Sequence, residues 1–148
     1  MPKILVIHGP NLNLLGKREP DVYGKLTLTQ INALLRMKAK KLNFGLKIMQ
    51  TNSESVIIEL IQKAVGKFDG VVINPAAYTH YSYAIYDALL AVGLPAVEVH
   101  LSNIYAREPF RRKSVIAPAC LKQIFGSGYK SYLEGLDFLS QYLRRKGT

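Results

Sequence analysis

Short apolar runs alternate with stretches of helical period along this chain. Lys3 to Ile7 is a strand candidate, continuously apolar from Ile4. Thr29 to Asn43 sets Ile31, Leu34, Leu35, Ala39 and Leu42 on one helical stripe, with Arg36, Lys38, Lys40 and Lys41 largely off it. Gly45 stands where a C-cap would end that helix. Leu46 to Gln50 is a second strand candidate. Ser53 to Lys67 returns to helical spacing through Val56, Ile57, Leu60, Ile61, Ala64 and Val65. Asn52 or Ser53 suits its N-cap, and Glu54 suits the positive first turn. Gly70 to Asn74 reads as a third strand, His80 to Val92 as a helix closed by Gly93, and Pro95 to Val99 as a fourth strand. Residues 101–114 are irregular and basic, and Ala119 to Phe125 is a candidate for a last strand. Tyr129 to Lys146 is a final helix, with Tyr132, Leu136, Leu139 and Leu143 on one side.

This order predicts an α/β fold: a parallel sheet with helices on both faces and right-handed crossovers. With 148 residues and no linker, repeat or low-complexity segment, the chain reads as a single domain spanning 1–148. A five-stranded, flavodoxin-like parallel sheet fits that length. Hydrophobic residues at 49% and charged residues at 20% exclude a disordered chain. No apolar run approaches the roughly 18 residues of a membrane helix. The apolar run at Ile4 to Ile7 is too short for a secretion signal. Cys120 is the only cysteine, so no disulfide framework is expected, and a cytoplasmic protein is. The formal charge of +10 favours nucleic acid, acidic lipid or a small anionic substrate as partner, or is a plain solubility surplus.

In open parallel sheets, sites form beyond the carboxyl ends of the strands. The first strand runs into His8-Gly9-Pro10-Asn11-Leu12-Asn13, the third into Asn74 to His80, and the fourth into Glu98 to Asn103. All three histidines fall in these segments. Leu14 to Lys25, with Arg18, Glu19, Asp21 and Tyr23 between Gly16 and Gly24, reads as a lid or as an ordinary solvated loop. There is no nucleophile elbow, no Walker spacing around Gly9 to Gly16, and no carboxylate cluster with divalent-metal spacing. A three-histidine metal site from His8, His80 and His100 is one reading. A cofactor-free acid–base set of His, Tyr, Arg, Asn and Glu is another. A tyrosine, with an ordinary pKa of about 10, needs help to act as a base near neutrality. A nearby guanidinium favours the phenolate, and Arg18 and Tyr23 share a loop.

The stretch His8 to Gly24 resembles the opening motif of the type II 3-dehydroquinate dehydratases. Gln50 to Glu54 resembles their second motif, and Ile73 to His80 with Asp87 to Leu89 the third. Val97 to Asn103 with Arg107 to Arg112 resembles the fourth, and all stand in family order. The resemblance implies dehydration of 3-dehydroquinate to 3-dehydroshikimate, a flavodoxin-like fold, and a dodecamer built as a tetramer of trimers. It also implies no metal, no cofactor, and no nucleic-acid or membrane partner. By position, Tyr23 resembles the general base, Arg18 the residue that lowers its pKa, and Asn11 the enolate stabiliser. His100 resembles the general acid, oriented by Glu98. Asn74, His80, Asp87, Leu101, Ser102 and Arg111 resemble the substrate-binding set, with Arg111 facing the substrate carboxylate. Arg107 resembles a lid support. Three positions depart from the family pattern: His8 where Asn is frequent, Ser55 where Gly is common, and Tyr86 where Arg is frequent. Tyr83 and Tyr86, at i and i+3, read as an oligomer contact or as a half-exposed surface pair.

Overall fold

Five apolar runs become parallel strands: β1 (Lys3–His8), β2 (Gly45–Gln50), β3 (Gly70–Asn74), β4 (Ala96–Val99) and β5 (Lys122–Ile124). They form one sheet in the order β2-β1-β3-β4-β5. The helices between them are α1 (Pro20–Tyr23), α2 (Leu28–Leu42), α3 (Glu54–Lys63), α4 (Tyr83–Val92) and α5 (Lys130–Lys146). This is the expected flavodoxin-like layout. The structure is a computed structural model that describes residues 1–17 and 19–146.

The period of two along the strands divides the core into two layers. Ile4 and Val6 of β1, Val72 of β3, and Val97 and Val99 of β4 pack with Ile31 and Leu35 of α2 and Tyr132, Leu136 and Leu139 of α5. Leu5, Ile7, Val71, Ile73 and Ala96 pack with Ile57 and Ile61 of α3 and Ile85 and Leu89 of α4. Each fully buried aliphatic side chain contributes about 2 kcal/mol relative to exposure, so the two layers hold the helices to the sheet. Gly135 lets α5 lie close to the sheet: a Cβ there would stand 2.9 Å from Val99 Cγ1. Among the described residues no helix is long and apolar enough to cross a membrane.

Several boundaries differ from the expected ones. β1 continues through His8, which pairs with Gln50 and Asn74 in register. Asn43, with φ 63°, ends α2, while Gly45 opens β2. At its other end α2 starts at Leu28 behind a Thr27–Gln30 capping box. α3 stops at Lys63, where the last turn tightens, Ala64 N–H donating to Ile61 O at 3.2 Å, and Gly66 follows in the left-handed region at φ 78°. Residues 76–80 form a separate 3-10 turn, so α4 begins at Tyr83 behind the cap residue Ser82. A 3-10 turn at Leu12–Leu14 leads into the 14–25 loop, which carries a helical turn at Pro20–Tyr23.

The chain leaves β1 towards β2 on one side, while β3 lies on the other side of β1. A crevice at such a reversal of strand order is the usual ligand position in open α/β sheets. The loops after β1, β3 and β4 all end beside it.

Candidate active site

A cleft of about 180 Å³ opens at this edge. Asn11 enters from the β1 loop, Tyr23 from the end of α1, and Asn74 from the end of β3. His80 enters from the 76–80 turn, His100, Leu101 and Ser102 from just beyond β4, and Arg107 and Arg111 from the basic segment. Pro10, Leu12, Ala76, Ala77 and Ile104 complete the walls; they are apolar and carried no chemical cue in the sequence. Glu98 lies behind the wall, fully buried against His100. Asp87 is exposed on α4 and does not line the cleft. Arg18 lies outside the described residues.

The β1 loop is held by close backbone contact. Gly9 N–H donates to Asn74 O at 2.8 Å, and a Cβ at Gly9 would stand 2.7 Å from the Pro75 carbonyl. Asn11 takes a left-handed conformation, φ 68°, and its N–H donates to Asn52 Oδ1 at 3.0 Å. Gln50 Nε2 donates to Gly9 O and to Asn52 Oδ1, both at 3.2 Å, and Tyr78 Oη donates to Asn52 O at 2.7 Å. The second motif therefore braces the loop that presents Asn11.

Tyr23 is half-buried, and Arg107 Nη1 donates to its phenol oxygen at 2.8 Å. The guanidinium carbon of Arg107 lies 5.1 Å from the Tyr23 ring centroid. A cation donating to that oxygen stabilises the negative charge left when the proton departs. Arg107 was expected only as a lid support; the structure sets it directly on Tyr23. Arg111 Nε donates to Glu108 Oε2 at 2.8 Å, and Arg112 Nε donates to Arg107 O at 2.9 Å. These contacts order the basic segment beside the cleft.

Just beyond the end of β4, His100 Nε2 donates to Glu98 Oε2 at 2.5 Å. The same carboxylate accepts from Thr79 Oγ1 at 2.5 Å and from Ser114 Oγ at 2.9 Å. Burial alone pushes the Glu98 carboxyl up. The His100 hydrogen bond and charge, with the Thr79 and Ser114 hydroxyls, outweigh burial and hold it below the usual carboxylate range. Glu98 is thus an anion at neutral pH that fixes one His100 nitrogen and leaves Nδ1 for the cleft. Thr79 and Ser114 were missed from the sequence. Thr79 lies inside the third motif next to His80, the only cue available; Ser114 meets Glu98 only through folding. His80 Nδ1 donates to Lys113 O at 2.8 Å. Burial lowers its pKa, the Lys113 carbonyl opposes this, and the charges of His100 and Arg111 lower it further.

The three-histidine metal reading fails on geometry. As the even partner of Val6, His8 turns into the α2/α5 layer, where Tyr132 and Asn32 occupy its two ring nitrogens. Among the described residues no group of three or more His, Cys, Asp or Glu side chains is placed to hold a metal ion.

Residues 2–140 match the family model described as Dehydroquinase class II. The chain is 57% identical over 143 residues to a 3-dehydroquinate dehydratase of Geotalea daltonii, covering 97% of this chain and 99% of the relative. It is 56% identical over 141 residues to one from a Nostoc species, covering 95% and 96%. The solved type II dehydroquinase of Butyrivibrio crossotus superposes with a TM-score of 0.92 at 47% identity, covering 93% of this chain and 97% of that one. The match runs through every element that builds the cleft, and both sequence and fold are shared almost end to end. The chain therefore belongs to the class II dehydroquinase family.

Proposed function

We propose that this cleft dehydrates 3-dehydroquinate to 3-dehydroshikimate through an enolate, by anti elimination, with Tyr23 as general base and His100 as general acid. The chain is a hydro-lyase of the shikimate pathway, and its substrate is 3-dehydroquinate. The observation that carries the mechanism is the pairing across one cleft of Tyr23 with Arg107 and of His100 with Glu98.

The C2 proton of the substrate is acidic because it lies next to the C3 ketone. Tyr23, as phenolate, removes it, and the electron pair moves onto the ketone oxygen. Asn11 lies on the cleft wall, placed to stabilise that enolate by hydrogen bonding. When the enolate collapses, the C1–C2 double bond forms and the C1–O bond breaks. His100 gives its proton to the departing hydroxyl, so water leaves. Tyr23 ends protonated and His100 neutral, and solvent exchange restores both. A positioned acid or base contributes about 10²–10⁴-fold, so the two together supply much of the acceleration.

Arg111 is assigned to the substrate carboxylate, which would replace Glu108 as its partner. Asn74, His80, Leu101 and Ser102 are assigned to the ring hydroxyls, and Arg18 to the charge around Tyr23. The same reading has residues 1–148 act as one catalytic domain in the cytoplasm, within a dodecamer made of four trimers. Asp87, exposed on α4, fits the substrate-binding set when α4 meets the cleft of a neighbouring copy. The test is ultraviolet absorbance of purified protein with 3-dehydroquinate after exhaustive chelation. A rising conjugated-enone signal is expected. A flat trace from folded, assembled protein would overturn the reading.

A further inference from the structure

Four polar side chains form a hydrogen-bonded file inside the otherwise apolar α2/α5 layer, under the floor of the cleft. Asn74 Nδ2 donates to Tyr132 Oη at 3.0 Å. Tyr132 Oη meets His8 Nδ1 at 2.8 Å, and His8 Nε2 meets Asn32 Oδ1 at 2.8 Å. His8 and Tyr132 are fully buried, Asn74 is 3% exposed, and Asn32 is half-buried on α2. Leucine and phenylalanine would fill this layer without the desolvation that polar groups incur.

The direction of the file is fixed from one end. The backbone N–H of Ala76 donates to Asn74 Oδ1 at 3.0 Å, so that atom is the amide oxygen and the other the nitrogen. Asn74 therefore donates to the Tyr132 oxygen. Tyr132 has one hydrogen, which goes to His8 Nδ1. His8 then accepts on Nδ1, carries its proton on Nε2, and donates to Asn32 Oδ1. Burial agrees with this: it lowers the His8 pKa to about 4 against the opposing Asn32 bond, and it raises that of Tyr132. Both groups hold one protonation state across any working pH. Asn74 has two amide hydrogens. Tyr132 takes one, and the second is left for the cleft that Asn74 lines.

We propose that His8 and Tyr132 are positioning residues that lock the Asn74 amide, so that it presents a single fixed N–H donor to a substrate oxygen. The substrate half of this inference rests on the dehydratase reading above. His8 and Tyr132 do not touch the cleft; they act through Asn74.

A double-mutant cycle on 3-dehydroquinate kinetics tests it. Tyr132→Phe removes one oxygen and keeps the ring. It should raise KM about tenfold, the size of one lost neutral hydrogen bond, with a smaller change in kcat. In an Asn74→Ala background the same change should add less than about twofold to KM, because the two residues act as one unit. His8→Leu should reproduce the Tyr132→Phe defect. His8→Asn, whose Oδ1 falls near the position of Nδ1, should restore KM to near the wild-type value. Should Tyr132→Phe not fold, the two His8 variants decide alone. Additive effects in the cycle, or lower thermal stability with KM unchanged in every variant, would overturn the inference while leaving the dehydratase reading intact. No turnover by the wild-type chain would sink that reading and this inference with it.

Discussion

His8 shows how a single residue is assigned by geometry and not by type. Its place in the opening motif, next to Gly9 and Asn11, invited a role in the cleft. Strand parity sends it to the other side of the sheet, where it is buried and neutral. This carries a pH dependence with a definite sign. Unfolded, His8 would titrate near the ordinary histidine value of 6.5; folded, burial lowers its pKa to about 4. Between those values the unfolded chain binds more protons. His8 therefore contributes its stability in full above about pH 6.5 and loses it as pH falls towards 4. The loss is on the order of 3 kcal/mol. His80 shifts in the same direction, so the comparison must isolate His8. Urea unfolding at stepped pH should show His8→Asn losing less stability than wild type between about pH 6.5 and 5, a range above most carboxylate titrations. Parallel curves would contradict the assignment. Placement at the cleft was legible in the sequence wherever a motif carried it, as for Tyr23 and His100, which line it, and Glu98, which holds His100 from behind. It was not legible for Thr79 and Ser114, because no local pattern marks a hydroxyl that will meet a carboxylate from another element.

At the scale of elements, periodicity found the five strands and every helix but α1, which lies in the stretch read as a loop, and local capping chemistry moved their ends. The clearest case is α4. The run from His80 looked helical throughout, but the 76–80 turn takes the backbone away and Ser82 restarts it. Ser82 Oγ accepts from Ile85 N–H at 3.1 Å and donates to Glu54 Oε2 at 2.5 Å, tying the start of α4 to that of α3. Ser82 is 2% exposed, so water cannot replace these bonds. Ser82→Ala should cost about 1–2 kcal/mol, read as a lower Tm or urea midpoint. A change below about 0.3 kcal/mol would show that the cap is dispensable. The same restart frees residues 76–80 to set Thr79 on Glu98 and His80 at the cleft, which an unbroken helix from His80 would not do. The 101–114 segment looked irregular because its order comes from side-chain contacts among Arg107, Glu108, Arg111 and Arg112, which no periodicity reports.

For the whole molecule, the formal charge of +10 acquires a location. Arg107, Arg111, Arg112 and Lys113 stand together near the cleft, outnumbering Glu108 on the same segment and the buried Glu98 behind His100. An anionic substrate approaching such a mouth is steered, and salt screens steering over a Debye length of about 10 Å at 0.1 M. kcat/KM for 3-dehydroquinate should therefore fall severalfold between low and moderate ionic strength while kcat stays nearly constant. An unchanged kcat/KM would assign the charge to solubility. The parallel sheet and the helices on both its faces were readable from strand–helix alternation. The depth of the cleft was not, because it depends on loops from three strands closing on one another. The proposed role of Tyr23 as the base is the one on which the rest of the mechanism depends. It is tested most directly by comparing Tyr23→Phe with wild type in two assays on the same samples: enone absorbance for turnover and calorimetric titration of 3-dehydroquinate for binding. Turnover should fall by about 10³-fold or more while the affinity stays within a few-fold of wild type. Undiminished enone formation by Tyr23→Phe would contradict it.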